Sequence, residues 1–335
     1  MFRVLVTGSK GQLGSEIQEL VNGGATSVVH KSTFFFTDRE NLDITDINAV
    51  RTFVETNAIN TIINCAAYTA VDKAQTDEAN ANKVNHLAAK YLAQIAKEKD
   101  LMLIHVSTDY VFDGTNFKPY TEEDATNPQS VYGKTKLDGE NAIKEINPPN
   151  AIIIRTSWVY SSFGANFVKT MLRLGKEKES LGVIYDQVGT PTYARDLAKA
   201  ILDILDCRAS LAVTEDEELA VTESPSLQEA KQSVHVTPTT AISSLRGTKQ
   251  STNVEIYNYS NEGVLSWYDF AKEIMRMAKL NCQINPIETK EYPTPAQRPH
   301  FSLLNKSKIK KEFGLIIPFW KDSLDACLKR LGERK

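Results

Sequence analysis

The chain has 335 residues, which exceeds one average domain and fits a large α/β domain with a smaller unit appended. Its 39 Lys and Arg residues against 42 Asp and Glu residues leave a formal charge of −3. No broad cationic surface for nucleic acid or anionic lipid is therefore expected. Hydrophobic residues make up 41% of the chain and charged residues 24%, a balance that excludes wholesale disorder.

The amino-terminal segment carries no charged leader followed by an apolar stretch and a cleavage site, and no window of the sequence approaches a membrane span. We therefore expect a cytoplasmic protein without a membrane or nucleic-acid partner. The cysteines Cys65, Cys207, Cys282 and Cys327 are far apart and form no Cys-x-x-Cys pair. Reduced thiols are expected here, because neither a zinc site nor a disulfide framework has this spacing.

Apolar runs and amphipathic periodicities alternate along the first half of the chain. The predicted strands are Phe2 to Thr7, Phe34 to Phe36, Thr61 to Cys65, Leu101 to Val106 and Ala151 to Thr156. The predicted helices between them are Gln12 to Val21, Ile47 to Val54, Ala79 to Lys97 and Tyr132 to Ile146. Strands separated by helices of this length favour right-handed crossovers and a parallel sheet covered on both faces. The predicted fold class is α/β, with residues 1–160 forming a doubly wound, Rossmann-like domain that binds a dinucleotide.

Beyond Trp158 the pattern loosens, and residues 161–335 are interpreted as a smaller α/β substrate-binding lobe, some segments of which are free to return to the first domain. Its predicted helices are Phe167 to Lys176, Ala194 to Leu205, Trp267 to Lys279 and Lys321 to Leu331. Residues 207–252 contain no Phe, Tyr or Trp and include the acidic run Glu215 to Glu218. This composition predicts a mobile surface insertion rather than a functional lid.

A glycine-rich turn joins the first predicted strand to the first predicted helix, with Gly8, Gly11 and Gly14 spaced three apart. Gly8 permits a tight turn, Gly11 lets backbone amides approach a pyrophosphate, and Gly14 lets the helix lie close to the sheet. The helix dipole then faces the phosphates. At this first junction between a strand and a helix, a dinucleotide site is favoured over a plain turn.

Acidic and basic residues follow the second predicted strand. Asp38 is placed to hold an adenosine ribose and Arg39 to contact a 2′-phosphate, with Asp43 shortly after them. These two indications oppose each other and leave NADH versus NADPH open. The segment Asn64 to Thr69 follows the third strand, at the sheet edge where ligands bind, and is predicted to line the cofactor site.

The most specific constellation is Tyr132 with Lys136 at the start of a predicted helix, after a strand that ends in Ser107 and Thr108. A spacing of four residues places Tyr132 and Lys136 on one helical face. A tyrosine hydroxyl becomes an acid-base group near neutrality when a nearby cation stabilises its phenolate, and Lys136 is placed to supply that cation. Thr108 is placed to bind the same substrate oxygen, an arrangement that suits the reduction of a carbonyl.

Hydrolytic and metal-dependent chemistry are disfavoured. No Gly-x-Ser-x-Gly elbow is present, and no Ser or Cys signature accompanies the histidines, which are His30, His86, His105, His235 and His300. His105 is interpreted as a packed core residue rather than a base. No local spacing of ligands supports a metal site.

Seven segments resemble the extended short-chain dehydrogenase/reductases and, within them, the dTDP-4-dehydrorhamnose reductase family. They are Gly8 to Gly14, Ala66 to Lys73 (AAYTAVDK), Ser107 to Gly114 (STDYVFDG), Val131 to Lys136 (VYGKTK), Arg155 to Tyr160 (RTSWVY), Asp186 to Thr192 (DQVGTPT) and Tyr292 to Asn305 (YPTPAQRPHFSLLN). The resemblance covers almost the whole chain. It implies reduction of the C4 keto group of dTDP-4-dehydro-β-L-rhamnose by NADPH or NADH, the last step of dTDP-L-rhamnose biosynthesis, with cell-surface polysaccharide as the destination of the rhamnose.

By this resemblance Thr108, Tyr132 and Lys136 form the catalytic set, in which Tyr132 protonates the C4 oxygen and Lys136 also holds the nicotinamide ribose. The implied contacts with the nucleotide-sugar substrate are Thr108, Asp109, Tyr110 and Trp158, with Arg298 on the diphosphate. Together with the residues argued from the sequence, the candidate cofactor contacts are Gly8, Gly11, Gln12, Leu13, Gly14, Asp38, Arg39, Asp43, Ile44, Ala67, Tyr68, Thr69, Tyr132 and Lys136.

Two features depart from the family pattern. Residues 207–252 enlarge a loop that is short in the family. Some members are thought to dimerise through Mg²⁺ held by acidic side chains, and Glu16 matches one such ligand, but Arg195 stands where another carboxylate is expected. The sequence therefore gives no support for Mg²⁺ as a structural requirement, and a homodimer stays open.

Two other functions compete with the reductase. A nucleotide-sugar epimerase or dehydratase uses the same Tyr and Lys but recycles a retained cofactor. A non-catalytic subunit that binds dinucleotide, like the regulatory beta subunit of methionine adenosyltransferase, has the same fold. The intact set of Thr108, Tyr132 and Lys136 counts against this second alternative.

Overall fold

The structure, a computed structural model, describes residues 2–24, 32–222 and 253–333. The strands are β1 (Arg3–Thr7), β2 (Thr33–Thr37), β3 (Thr61–Asn64), β4 (Met102–Thr108), β5 (Ile152–Thr156), β6 (Val159–Tyr160), β7 (Ser180–Ile184), β8 (Val188–Gly189), β9 (Thr192–Tyr193), β10 (Glu255–Tyr259), β11 (Leu265–Ser266) and β12 (Gln283–Ile287). Six of them form one parallel sheet in the order β10-β5-β4-β3-β1-β2. The predicted α/β class with a parallel central sheet is confirmed. Outside this sheet β6 pairs with β9 and β7 with β12 in parallel, and β8 pairs with β11 in antiparallel.

The helices are α1 (Gln12–Asn22), α2 (Ile47–Thr56), α3 (Val71–Ala74), α4 (Glu78–Asn82), α5 (Ala88–Glu98), α6 (Val131–Ile146), α7 (Phe167–Glu177), α8 (Ala194–Thr222), α9 (Trp267–Ala278), α10 (Ser307–Phe313) and α11 (Trp320–Glu333). A π-helical turn, Lys83–Leu87, joins α4 to α5 within the helix predicted from Ala79 to Lys97. Among the helices of the described ranges, none is long and apolar enough to cross a membrane.

Alternate residues of each central strand enter different hydrophobic clusters. Val4 and Val6 of β1 pack in one cluster with Ile17 of α1 and Ile201 of α8. Leu5 packs in a second cluster, whose members include Val54 of α2, Leu92 of α5 and Ile143 of α6. Because successive strand residues point to opposite faces, helices cover both sides of the sheet. The central strands are therefore mainly apolar on both faces instead of alternating with polar residues.

A third hydrophobic cluster lies outside the large sheet. It joins α7, α9 and α11 through residues such as Met171, Phe270 and Leu324, together with Tyr160 of β6 and Tyr193 of β9. Two segments after residue 160 pack elsewhere, since β10 extends the large sheet beside β5 and α8 packs against α1. The division into domains at residue 160 stays a prediction.

The helix predicted to end at Leu205 continues to Thr222 in the structure. The first part of the predicted insertion is therefore helical. This stretch contains no Gly or Pro and is rich in Ala, Leu and Glu, which favour continuation of the helix begun by the buried residues of α8. Residues 223–252, the remainder of the predicted insertion, lie outside the described residues.

A buried ion pair attaches α6 to the sheet. The guanidinium of Arg155 on β5 contacts both carboxylate oxygens of Glu140 on α6, with 2.7 Å between Nη2 and Oε2 and 3.0 Å between Nε and Oε1. The hydroxyl of Ser107 on β4 donates to Glu140 Oε1 at 2.6 Å. Both charged side chains are almost fully shielded from solvent. The contacts fix how α6 is rotated above β4 and β5.

Replacing Glu140 by Gln is expected to lower the free energy of unfolding by about 3 to 5 kcal/mol, because the guanidinium of Arg155 stays charged and is left buried without a counter-charge. The measurement is urea denaturation of the ligand-free protein. Asp138→Asn is the matched control on the same helix, since its pair with Lys134 is solvent-exposed and its removal costs less than about 1 kcal/mol. Equal losses in the two variants contradict the anchoring role of Glu140.

Candidate active site

A cleft of about 960 Å³ follows the carboxyl edge of the sheet. Most of the predicted site residues line it: Gly8, Gly11, Gln12, Leu13, Asp38, Arg39, Asp43, Ile44, Ala67, Tyr68, Thr69, Thr108, Asp109, Tyr110, Tyr132, Lys136 and Trp158. Gly14 and Arg298 do not line it. Gly14 lies behind the turn, and Arg298 lies to one side.

The glycine-rich turn at one end of the cleft has no room for side chains. Gly8 adopts a φ of +68°, and a Cβ there would lie 2.7 Å from the backbone nitrogen of Ala66. A Cβ on Gly14 would lie 2.4 Å from the carbonyl oxygen of Gly8. The N–H of Gly11 donates to that same carbonyl at 2.9 Å and closes the turn. The backbone itself therefore forms the surface of the cleft at this end.

The first turn of α1, whose backbone N–H groups have no acceptor within the helix, lies at this end of the cleft. Gly11 is the N-cap of the helix and supplies no side-chain cap, and Gln12 and Leu13 follow it on the wall. Free N–H groups and the positive end of the helix dipole together bind anions. The turn and the helix end fit the pyrophosphate of a dinucleotide.

Asp38 and Arg39, at the end of β2, differ in how far they are already engaged. Asp38 Oδ2 pairs with Lys10 Nζ at 2.6 Å, and Asp38 Oδ1 accepts from the N–H groups of Glu40 and Asn41 at 2.9 and 3.2 Å. The hydrogen bond from Lys10 lowers the pKa of Asp38. Both oxygens of the carboxylate thus have protein partners, whereas Arg39 lines the cleft beside them.

The second wall of the cleft carries Tyr132 and Lys136 on α6. Ser130 begins this helix by accepting from the N–H of Gly133 at 3.2 Å. Lys136 Nζ donates to the carbonyl oxygen of Val106 at 2.6 Å. Burial lowers the pKa of Lys136 to about 8 and raises that of Tyr132 to about 12. In this ligand-free arrangement burial outweighs other influences on Tyr132, and the phenol is protonated at neutral pH.

Thr108 joins the tyrosine to the end of β4. Its side chain lies beside the Tyr132 hydroxyl, where it opposes the rise in the pKa of that group. Thr108 Oγ1 also donates to Asp109 Oδ1 at 3.0 Å and accepts from the N–H of Tyr110 at 3.2 Å. The rings of Tyr110 and Tyr132 meet edge to face with their centroids 5.4 Å apart. The predicted catalytic residues are therefore adjacent in space.

Asp109 is a buried carboxyl group on the wall of the cleft. Burial raises its pKa to about 7, although hydrogen bonds from Thr108 and Ser302 act in the opposite direction. Its Oδ2 atom has no hydrogen-bond partner among the described residues. An acid with this pKa exchanges its proton near neutrality and can donate a hydrogen bond to a sugar hydroxyl or accept one from it.

Trp158 lines the cleft from the segment after β5 and adopts a φ of +48°, which is unusual for a bulky residue. Its indole stacks on Trp267 with 3.7 Å between ring centroids and 12° between planes. Gly189 also lies close to the indole, since a Cβ there would be 3.1 Å from it. Trp267 begins α9, and sequence reasoning missed this support because no local pattern connects the two residues.

Arg298 is engaged by Asp72 in this structure. The two groups form a bidentate pair with distances of 2.8 and 3.1 Å, and the guanidinium also donates to the carbonyl of Ala296. The neighbours of Asp72, Val71 and Lys73, line the cleft. The predicted contact of Arg298 with a diphosphate therefore requires the guanidinium to be shared with Asp72.

Several polar residues of the cleft were not predicted as site residues. Lys73, Asn80, Lys83 and Asn166 all line it. Lys73 lies inside one of the quoted family segments, but nothing in the spacing of the others indicates the site. The π-helical turn beside them also has a local role, because Asn85 exchanges two hydrogen bonds with the backbone of Tyr68.

Glu16 and Arg195, considered for a metal, contact each other directly. Arg195 Nη1 lies 3.1 Å from Glu16 Oε2, and the hydroxyl of Ser161 donates to Glu16 Oε1 at 2.6 Å. Among the residues that the structure describes, no group of three or more His, Cys, Asp or Glu side chains is arranged to hold a metal ion. The guanidinium therefore provides the counter-charge of this buried carboxylate.

A family model described as the RmlD substrate binding domain matches residues 2–219 and 230–333. The chain belongs to this family. The dTDP-4-dehydrorhamnose reductases of Aggregatibacter actinomycetemcomitans and Escherichia coli K12 are 36% and 35% identical to it, the first over 97% of both chains and the second over 98% of this chain and 97% of its own. The spore coat polysaccharide biosynthesis protein SpsK of Bacillus subtilis is 32% identical over 98% of each chain.

Solved structures agree with the family assignment. The dTDP-4-dehydrorhamnose reductase of Clostridium acetobutylicum superposes with a TM-score of 0.81 at 37% identity, covering 99% of this chain and 100% of that one. The Bacillus anthracis enzyme, solved in complex with NADP, gives a TM-score of 0.79 at 31% identity, covering 98% and 100%. A dTDP-glucose 4,6-dehydratase from Streptomyces venezuelae, with a TM-score of 0.71 at 15% identity, shares the fold. The resemblance predicted from the sequence is confirmed.

Replacing Gly8 by Ala is expected to weaken NADP⁺ binding at least about tenfold, because the methyl group meets the backbone of Ala66 and the left-handed conformation disfavours alanine. Titration calorimetry measures the affinity. Gly332→Ala on α11 is the control, since among the described residues nothing beyond its chain neighbours and its own helix backbone lies within 4 Å of the added Cβ. Unchanged affinity in the Gly8 variant contradicts the assignment of this turn to the pyrophosphate.

Proposed function

We propose that this chain reduces the C4 keto group of dTDP-4-dehydro-β-L-rhamnose to dTDP-β-L-rhamnose with NADPH, the last step of dTDP-L-rhamnose biosynthesis. One observation carries the proposal. Thr108, Tyr132 and Lys136 meet in a cleft whose other end is formed by the glycine-rich turn. Its relatives named dTDP-4-dehydrorhamnose reductase match nearly the whole chain, and the relative from Bacillus anthracis was solved with NADP. The product is supplied for surface polysaccharide.

The residues of the cleft divide between two ligands. Gly8 and Gly11, with the first turn of α1, hold the pyrophosphate of the cofactor, and Ala67 to Thr69 line the path toward Lys136. When bound, the reduced nicotinamide supplies a hydride to the keto carbon. Lys136 holds the nicotinamide ribose. Its buried ammonium suits this role because it lies on the wall of the cleft that also carries Tyr132.

Tyr132 acts as the proton donor. Since burial keeps its pKa near 12, the hydroxyl carries its proton throughout the physiological range and delivers it to the C4 oxygen as negative charge develops there. The Thr108 hydroxyl turns from Asp109 to donate its one hydrogen bond to the same oxygen and so fixes its position. Thr108 is buried and Tyr132 is half-buried in the wall of the cleft, so ligands that fill the cleft would exclude water from both groups and strengthen these contacts.

The sugar side of the cleft is formed by Asp109, Tyr110 and Trp158. Asp109 offers an unpartnered oxygen for a sugar hydroxyl, and the indole of Trp158 offers an apolar face. Arg298 and Lys73 provide the cations for the diphosphate, with Arg298 shared between substrate and Asp72. Residues 161–335 contribute Arg298 to this side, which supports their role as a substrate-binding lobe.

We place the enzyme in the cytoplasm.

Replacement of Tyr132 by Phe is expected to lower kcat by about 10² to 10⁴-fold with little change in the Kd for NADP⁺, because only the transferable proton is lost. The assay is oxidation of NADPH with dTDP-4-dehydrorhamnose present. Tyr185→Phe, an exposed tyrosine outside the cleft, is the control. An unchanged kcat for the Tyr132 variant rules out this residue as the acid.

The preference between cofactors depends on Arg39. Because the carboxylate of Asp38 is already occupied by Lys10 and backbone N–H groups, it is a poor partner for a ribose hydroxyl, while Arg39 offers a cation for a 2′-phosphate. Arg39→Ala is expected to raise the KM for NADPH about tenfold and leave that for NADH within about twofold. Steady-state kinetics with both cofactors measure this, and an equal rise for both refutes a contact with the phosphate.

A further inference from the structure

A line of buried polar side chains connects the first strand with the catalytic lysine. The hydroxyl of Thr7 on β1 donates to Asn64 Oδ1 on β3 at 2.6 Å, and Asn64 Nδ2 lies 2.9 Å from His105 Nδ1 on β4. His105 Nε2 then lies 3.3 Å from Lys136 Nζ. Each of the four residues is no more than 1% exposed. Nothing in the proposed reaction accounts for this arrangement.

Backbone geometry fixes the direction of these hydrogen bonds. Asn64 Oδ1 also accepts from the backbone N–H of Ala66 at 3.2 Å, and a backbone amide can only donate. The amide nitrogen of Asn64 must therefore face His105, so His105 Nδ1 has to accept. In a neutral imidazole one nitrogen accepts and the other carries the proton. The ring proton consequently lies on Nε2 and points at Lys136.

This orientation is unfavourable for the charged form of Lys136. An ammonium group has no lone pair and cannot accept from the Nε2–H of His105, so two donors face each other at 3.3 Å. If the imidazole tautomer and the Asn64 amide are both reversed, the Asn64 Nδ2–H group faces the N–H of Ala66, so two donors again face each other. The ammonium of Lys136 thus has one acceptor on this wall, the carbonyl of Val106. A neutral amine instead donates to Val106 and accepts from the Nε2–H of His105.

We propose that His105, oriented by Asn64, is a positioning residue that turns an N–H toward Lys136 and so makes its ammonium available to acceptors that a dinucleotide brings into the cleft. The proposal rests on the proposed function in one respect, that the ligand of the cleft is a dinucleotide. It differs from the reading of His105 as a core residue that only packs. The polar line makes the protonation of Lys136 depend on whether the cleft is filled.

The other groups around Lys136 are consistent with this coupling. Cys65 beside β3 is a neutral thiol, because burial raises its pKa to about 12. Glu140 on the same helix favours the ammonium, but its carboxylate is paired with Arg155 on β5. Burial lowers the pKa of His105, so the ring stays neutral. Tyr132, with a pKa of about 12, keeps its proton near pH 8.5, where Asp109, with a pKa of about 7, is mostly ionised; Asp109 titrates close to pH 7, so the measurement at pH 8.5 is the one that reports on Lys136.

The sign of the pH effect follows from these values. In the ligand-free protein Lys136 loses its proton as the pH rises through about 8, whereas an ammonium given acceptors by a ligand returns toward the ordinary lysine value of about 10.4. Binding therefore takes up a proton in the window between these two values. For Lys136 the expected uptake is about 0.7 proton per site at pH 8.5 and about 0.1 at pH 7.

The experiment is titration calorimetry of NADP⁺ into the full chain at pH 7 and 8.5, in two buffers with different heats of ionisation. No sugar is present, so the readout is independent of turnover. Asn64→Asp is the test variant, because a carboxylate accepts from Nδ1–H and turns the lone pair of Nε2 toward Lys136. Thr7→Val is the matched control, since it removes a member of the line but leaves the N–H of Ala66 to orient Asn64.

The proposal predicts uptake near 0.7 proton at pH 8.5 in the wild type and in Thr7→Val, and below about 0.3 in Asn64→Asp. Equal uptake in all three proteins, or none in a wild type that binds NADP⁺, overturns it and leaves the proposed reduction intact. Should Asn64→Asp fail to fold, ring ¹⁵N shifts of His105 in the wild type decide, because the proposal requires the proton on Nε2. A proton found on Nδ1 refutes it. If the proton uptake is as predicted but the protein does not turn over the keto sugar, the proposed reduction is overturned and the role of His105 stands.

Discussion

The buried pair of Glu140 and Arg155 sets the geometry on which the candidate site depends. It ties α6 to β5, and the Ser107 hydroxyl ties the same carboxylate to β4. Tyr132 and Lys136 stand two turns and one turn before Glu140, so a helix anchored at Glu140 can present them only to the cleft. Because charges this deep cost much energy to desolvate, the pair serves orientation more than stability.

Parallel topology supplies the rest of the site. Since the strands run in one direction, their carboxyl ends meet at one edge, and residues far apart in sequence become neighbours there. The turn at Gly8, the end of β2 at Asp38 and the end of β4 at Thr108 form a continuous surface. The segment after β5 completes it with Trp158, which is stacked on Trp267 from α9. The cofactor side of the cleft is thus held by the edge of the sheet, and Trp158 on the sugar side is held by α9.

Local patterns in the sequence sufficed for much of this account. The glycines at 8, 11 and 14 predicted the glycine-rich turn, and the spacing of Tyr132 and Lys136 predicted their shared helical face. Both features depend only on short-range geometry. Long-range contacts escaped prediction. Nothing local indicates that Asp72 engages Arg298, that Asn64 orients His105, or that residues 255–259 pair with β5. The continuation of α8 past Leu205 was obscured by the low aromatic content, although helix propensity there is high.

Isotope transfer from the cofactor is a direct test of net reduction of the sugar at C4. The protein is incubated with dTDP-4-dehydrorhamnose and NADPH deuterated at the transferable position of its nicotinamide, and the sugar product is examined by NMR and mass spectrometry. Net reduction requires one deuterium at C4 of dTDP-rhamnose for each NADPH oxidised. A sugar product without deuterium, formed while the added NADPH stays reduced, contradicts it and indicates an epimerase or dehydratase that recycles its cofactor.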